Sequence, residues 1–484
     1  MNSAIEGLKP ELVWKYFAEI SAIPRPSKHE ERMTKYLLGT AKKLGLQAKA
    51  DKFGNVVVKK PASAGKENVR MICLQGHTDM VAEKNKGKVH DFMKDPIELI
   101  RKDNTLMANG TTLGADNGIA VATNLAIMEE TSLVHGPLEF LFTVDEETGL
   151  TGASNLQPGF LESKTLLNLD SEEEGSIYVG CSGGRDTIGS WKSAFEKAPA
   201  GTMAATIRVA GLKGGHSGLE IDKGRGNAIK ILNRALLAAV EFGIRISSIS
   251  GGNKRNAIPR EAEALVFIPK GKWKVAAEAV MRFNMIAKAE LESVEPDLSV
   301  SMEEEKSKAK RVISQSLQKK LLQTISALPH GVIKMSADIP GLVETSTNVA
   351  VISTEKKSIR IATSQRSSVD SEIQEVIHSI ESVFHLAGAD VDGTDGYPGW
   401  KPNLDSEILK VAQSTYKQLY GKDPEIKAIH AGLECGIIGE RMSGMDMISF
   451  GPTLEGVHSP DEKIYIDTVE KFWVFLIGIL KNVN

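Results

Sequence analysis

Short apolar runs that end in His, Asp or Glu, separated by helical stretches, predict an α/β protein in two domains. Residues 71–74 (MICL), 138–144 (LEFLFTV), 165–169 (TLLNL) and 446–450 (DMISF) are largely apolar runs of strand length; the first three lead into polar, chemistry-bearing residues, and the fourth ends at Gly451-Pro452 before a loop that delivers His458. Continuous apolar runs suit strands buried on both faces, as in parallel sheets. In open α/β sheets the carboxyl ends of such strands are where ligands gather. The runs also flank a differently patterned stretch in which strand-helix-strand units recur, so the expectation is an α/β domain from 1–187 and 399–484, interrupted by a second α/β domain at 188–398.

The elements follow in order. Residues 8–46 read as helices broken at IPRPS, where Ser27 with Glu30 and Glu31 suits a helix start. Residues 47–60 alternate around Phe53-Gly54 like a hairpin. The 71–74 strand is broken by Gln75 and Gly76 and releases His77, Thr78 and Asp79. Residues 82–103 read as loop and short strand. Gly110 and Gly114 then make a loop that ends at Asp116, just before an apolar helical run at 119–128. Asp116 thus sits near a helix N-terminus, where the dipole favours an anion, and a capping Asp would look the same. The 138–144 strand ends in Asp145, Glu146 and Glu147. Three adjacent carboxylates repel one another unless positive charge sits among them or the turn is solvated. The 165–169 strand ends in Asp170, and the acids at 172–174 read as solvated.

Past residue 188 come a strand at 203–210, His216 among the glycines of LKGGHSG, and an amphipathic helix at 226–242. Strands at 244–250 and 261–268, a helix at 273–294, a strand at 297–302 and a helical stretch at 306–327 follow. Strands at 346–353 and 357–364 precede a helix at 370–386. Residues 389–403 (ADVDGTDGYPGWKPN) have linker composition. A helix at 404–420, a strand at 426–429, HAGLECG and the 446–450 strand lead to a loop carrying His458. The apolar run 472–480 reads as a buried helix behind an Asp467/Glu470 capping box, since a membrane span needs about 20 residues.

Composition narrows the function. The 484 residues carry a net charge of −3, which gives no sign of a nucleic-acid partner. Cys73, Cys181 and Cys435 lack disulfide or metal-site spacing, which suits a reducing compartment. The first residues show no basic segment followed by an apolar core, so a cytoplasmic chain without membrane attachment is expected.

His77 and Asp79, two residues apart, share one side of an extended chain. Asp79 could accept the ring N–H and fix the tautomer, leaving the other nitrogen for a metal, although a histidine after a strand also serves as a plain loop residue. With Asp116, Glu147, Asp170 and His458, the strand exits supply two imidazoles and three carboxylates. That donor set suits Zn²⁺, Co²⁺ or Mn²⁺. Five ligands exceed what one catalytic zinc takes, but suit two ions about 3.5–4 Å apart sharing a carboxylate. Glu146, beside a ligand and aimed elsewhere, is free to take a proton from an activated water.

GHTDMV, GADNG, DEETG, NLD, GGHSG and VHSP resemble the dinuclear zinc M20 peptidases. HTDMVAEKNKGKVHDFMKDPI, NLDSEEEG, GCSGGRDT, RGNAIKIL, RNAIPREA, HAGLECG and GPTLEGVHSPDE extend the resemblance, over essentially the whole chain, to the aminoacyl-histidine or cytosolic non-specific dipeptidases. The resemblance implies a dinuclear zinc enzyme with an α/β/α catalytic domain and an inserted, smaller α+β lid or dimerisation domain. His77 and Asp170 would hold one metal, Glu147 and His458 the other, and Asp116 would bridge. Asp79 would orient His77, and Glu146 would be the general base. It further implies that His216 stabilises the oxyanion, reaching the other active site in family dimers, and that Asn256 and Arg366 contact substrate. An Arg can grip a substrate carboxylate bidentately, and Gly432 would hold the same end through its backbone. The implied activity is hydrolysis of dipeptides, including Xaa-His substrates such as β-alanyl-histidine, by a homodimer. The rival readings are an N-acyl amino acid amidohydrolase with the same machinery and a catalytically silent binding protein.

Overall fold

The computed structural model describes residues 3–306, 309 and 311–484. The chain forms two compact units, one of residues 1–181, 400–428 and 433–484, the other of residues 182–399 and 429–432.

The first unit is built on an eight-stranded sheet, in the order Gln47–Ala50, Val56–Lys60, Leu138–Thr143, Ile72–His77, Thr165–Asn168, Asp446–Ser449, Ser176–Cys181 and Glu425–Ile429. Four neighbours in the middle, from Leu138–Thr143 to Asp446–Ser449, run parallel. The register aligns their ends: His77 pairs with Thr143, Gln75 with Asn168, and Asn168 with Ser449. Every residue of Ile72–His77 and Leu138–Thr143 is buried, the polar Gln75, His77, Glu139 and Thr143 included, as befits central strands of a parallel sheet. The strand over 71–74 does not break at Gln75 but runs on to His77. Gly76 is what permits this, because a Cβ there would stand 2.5 Å from Asn117 Oδ1 and 2.7 Å from the Ala120 Cβ. A small antiparallel sheet of Leu99–Lys102, Thr105–Ala108, Lys463–Tyr465 and Leu454–Glu455 holds the loop bearing His458.

Several local expectations are corrected. The helix after IPRPS is Glu31–Lys43 and starts beyond Ser27, while the Glu30 carboxylate accepts the Lys28 N–H instead. The C-terminal helix, Ile466–Asn482, starts one residue before Asp467, which sits in its first turn against Asn104; no capping box forms.

The second unit is an antiparallel sheet of nine strands. In order these are Ser299–Glu304, Thr202–Ala210, Ala262–Pro269, Arg245–Gly251, Val343–Thr354, Ser358–Ser367, Gly183–Lys192 and Asp390–Gly393, with Gly331–Met335 also pairing Val343–Thr354. Helices Ala228–Val240, Trp273–Leu291, Gln315–Ala327 and Asp370–Leu386 supply its core side chains, among them Leu232, Phe283, Leu321 and Phe384. The 389–403 stretch is not a linker: Asp390–Gly393 pairs with Gly183–Lys192, and Tyr397 bridges to Gly184. Asp and Gly suit this edge position, which needs no apolar face. Nor is 306–327 one helix. Arg311–Ile313 pairs with Phe195–Lys197, and the helix begins at Gln315 behind a Ser314 cap. Residues 307, 308 and 310 of that stretch lie outside the described residues.

Candidate metal centre

The aligned parallel strands deliver their polar residues to one place in the first unit. His77 Nε2 lies 3.1 Å from Asp116 Oδ1 and 3.5 Å from Asp170 Oδ1. His458 Nε2 lies 3.1 Å from Asp116 Oδ2 and 2.9 Å from Glu147 Oε2. Three overlapping ligand groups result, with atoms within 4.8 Å of one another: His77/Asp116/Asp170, Asp116/Glu147/His458 and His77/Glu146/Glu147.

Local backbone explains the convergence. Gly114 turns at φ +69°, and Asp116 and Asn117 then leave helical geometry, so Asp116 caps nothing and turns into the cluster. Asn117 Nδ2 donates to Leu169 O at 2.9 Å, tying this turn to the strand exit that carries Asp170. Asp145, at φ +50°, reverses the chain into the short helical turn Glu146–Gly149. Its carboxylate accepts the hydroxyls of Thr148 and Thr151, and its N–H donates to Glu30 Oε1 at 2.9 Å. His458 is likewise held at a left-handed φ of +60°.

Asp79 is fully buried and serves two neighbours. Its Oδ1 lies 3.3 Å from His77 Nδ1, and its two oxygens accept the backbone N–H groups of Glu146 at 3.0 Å and Glu147 at 3.2 Å. It therefore sets the ring of one predicted ligand and the backbone of another.

The charges are out of balance without a cation. Burial pushes Glu146 well above the usual carboxylate range and Asp170 up to about 6, in both cases against the pull of His77. Burial also works against charge on Asp116, but hydrogen bonds from His458 and His77 hold it well below the usual range. Asp116 and Glu147 draw His458 up to about 11. Glu147 Oε1 and Asp170 Oδ1 are buried with no hydrogen-bond partner among the described residues. Orphaned carboxylate oxygens among imidazoles form a nitrogen–oxygen donor set that divalent cations would satisfy.

The predicted substrate contacts lie in the second unit. His216 belongs to the two-residue strand Gly215–His216, which pairs with Ala257–Ile258 next to Asn256. His216 and Asn256 line one cavity of about 790 Å³. His216 Nδ1 accepts the N–H groups of Gly218 at 3.2 Å and Leu219 at 3.1 Å, which leaves the ring proton on Nε2 as a donor. Burial and the nearby Arg366 push its pKa down to about 4, so the ring is neutral near pH 7. Arg366 donates from Nη1 to the Tyr397 hydroxyl at 2.8 Å, while its Nε is buried without a hydrogen-bond partner among the described residues. A Cβ on Gly432 would stand 2.8 Å from the same Tyr397 ring.

Tyr397 sits in a segment of linker composition. Glu434, in HAGLECG, carries no local mark in the sequence. It is fully buried in the first unit, accepts from Gln75 Nε2 at 2.6 Å and Thr143 Oγ1 at 2.7 Å, and is pushed by burial up to about 7.

Comparison with known proteins places this geometry in a family. The model of peptidase family M20/M25/M40 matches residues 73–482. The chain is 42% identical over 482 residues to the cytosol non-specific dipeptidase of Escherichia coli (strain K12), covering 99% of each chain. It superimposes on the crystal structure of aminoacylhistidine dipeptidase from Vibrio alginolyticus with a TM-score of 0.92 and 43% identity, covering 100% of this chain and 98% of the other. Aminopeptidase PepT from Bacillus cereus shares the fold at 18% identity and a TM-score of 0.57, over 98% of this chain and 99% of the other. With a family model spanning most of its length and a relative matched from end to end, the chain belongs to peptidase family M20/M25/M40.

Proposed function

We infer that the chain is a metal-dependent dipeptidase that works with two divalent ions, Zn²⁺ by preference, with Co²⁺ or Mn²⁺ able to substitute. The observation that carries this is Asp116, whose two oxygens each lie 3.1 Å from a different imidazole, as a bridging ligand requires. His77 and Asp170 would hold one ion, and Glu147 and His458 the other. When bound, the ions supply the positive charge that acidifies a water and polarises the scissile carbonyl. Glu146 takes the water's proton on its carboxylate and passes that proton to the leaving amine. His216 donates its Nε2–H to the developing oxyanion. The family resemblance supports a homodimer in which His216 can reach the other protomer's site, the inserted unit then serving as lid and dimerisation element. Arg366 holds the substrate's terminal carboxylate, with Asn256 and the Gly432 backbone as further contacts.

The relatives' names support dipeptides as substrates, Xaa-His among them, and a cytoplasmic location. The three free, buried cysteines suit that location as well, and no described helix is long and apolar enough to cross a membrane. The test is amino-acid release from β-alanyl-histidine, Ala-His, a tripeptide and an N-acetyl amino acid, on chelated and metal-restored enzyme. Metal-restored cleavage of the dipeptides is expected. Faster cleavage of the acetylated substrate would move the assignment to an N-acyl amino acid amidohydrolase.

A further inference from the structure

Glu462 stands four positions after His458 and is 2% exposed. Its Oε2 accepts the backbone N–H groups of Leu113 at 2.7 Å and Gly114 at 2.9 Å, and its Oε1 those of Ala115 at 2.8 Å and Asp116 at 3.2 Å. One carboxylate thus gathers four consecutive backbone donors, the last belonging to Asp116 itself. Charge-assisted bonds of this kind are about twice as strong as neutral ones.

The other side of the same turn is held by Arg25, 1% exposed. Its Nη2 donates to Gly114 O at 2.5 Å, and its Nη1 to Thr78 O and Asp79 O at 3.0 Å. Gly114 is confined between them, since a Cβ there would stand 2.6 Å from Arg25 Nη2. Glu462 itself cannot drift, because the next residue, Lys463, begins the strand that pairs with Met107 in the small sheet. Three remote segments, 78–79, 113–116 and 458–462, are therefore locked by one buried cation and one buried anion. All of these bonds use backbone atoms of 78–79 and 113–116, so the Asp116 carboxylate is left to meet His77 and His458.

We propose that Glu462 is a positioning residue that presets Asp116 between the two imidazoles and fixes the His458 loop against it. The inference rests on the two-metal reading above. Replacing Glu462 by Gln leaves one acceptor oxygen and turns an amide NH₂ toward N–H groups, so the 113–116 turn loses its seat and Asp116 its aim.

The experiment is a Zn²⁺ titration of the metal-stripped full-length protein against a competing chelator, for wild type, Glu462→Gln and Glu462→Asp. Wild type must bind two ions; fewer would refute the two-metal reading itself. With that satisfied, Glu462→Gln should bind at least one ion about 10–100-fold more weakly, the usual effect of losing an outer support. Its KM for Ala-His at saturating metal should stay near wild type while kcat falls, and Glu462→Asp should recover part of the affinity. Wild-type affinity at both sites in Glu462→Gln would overturn the proposal, even if the apoprotein melted earlier. Should Glu462→Gln fail to fold, Glu462→Asp decides: its shorter reach should cost several-fold in affinity, and wild-type affinity would overturn the proposal.

Discussion

His458 and Asp116, 342 residues apart in the chain, meet at 3.1 Å between Nε2 and Oδ2. The opposite oxygen of the same carboxylate is 3.1 Å from His77 Nε2. A carboxylate serving a single ion would need only one of these two contacts. Asp116→Ala should therefore lower bound metal from two ions to at most one and abolish dipeptide turnover, as metal analysis after gel filtration would record. Retention of two ions would remove Asp116 from the bridging position.

Glu146 shares its helical turn with Glu147, yet only Glu147 reaches His458. Glu146→Gln should keep both ions while kcat falls about 10²–10⁴-fold, the usual worth of a general base. Near wild-type turnover with both ions bound would exclude it from that role.

His216 contributes a neutral Nε2–H donor. If it acts across a dimer, mixing inactive Glu146→Gln protomers with inactive His216→Ala protomers should create one intact site per hybrid and restore activity. Within a single protomer no such rescue is possible, so a hybrid as inactive as its parents would place His216 in its own protomer's site.

Burial holds three histidines of the second unit neutral: His216 is pushed down to about 4, His330 to about 4 and His430 to about 3. Unfolded, each would titrate near about 6.5. The folded pKa is depressed, so the unfolded state takes up protons first on acidification. The resulting stability is complete above about pH 6.5 and is lost as pH falls toward about 4. Urea midpoints taken through that window should drop with acidity, and less steeply in His330→Gln. An identical slope in the variant would show that His330 is not one of the groups responsible.

Gly76 lies inside a fully buried strand, one residue from His77. Gly76→Ala would drive a methyl against Asn117 Oδ1 and the Ala120 Cβ. Overpacking of this kind costs about 1–3 kcal/mol. Chemical denaturation should report that loss together with weaker metal binding, because Asn117 is displaced with Asp116. Unchanged stability would mean that the helix can recede from the strand.

Strand exits were legible because short apolar runs such as residues 71–74 have few structural alternatives, and the parallel register brings His77 and the residues after Thr143 and Asn168 side by side. The supporting layer was much less legible. Asp79 drew notice only as a neighbour of His77, while its hold on the Glu146 and Glu147 backbone depends on a turn that local sequence does not announce. Tyr397 and Asp390–Gly393 were hidden in a Gly-, Pro- and Asp-rich stretch, since an edge strand needs no apolar alternation. Glu434 and Glu462 look like surface acids in sequence, and only the tertiary fold buries them against donors.

The most direct test of the two-metal account is activity on Ala-His as Zn²⁺ is returned stepwise to the stripped protein. The account predicts that turnover reaches its plateau only at two equivalents and that Glu146→Gln binds the same two equivalents without recovering. Full activity at one equivalent, or in the stripped protein itself, would contradict it.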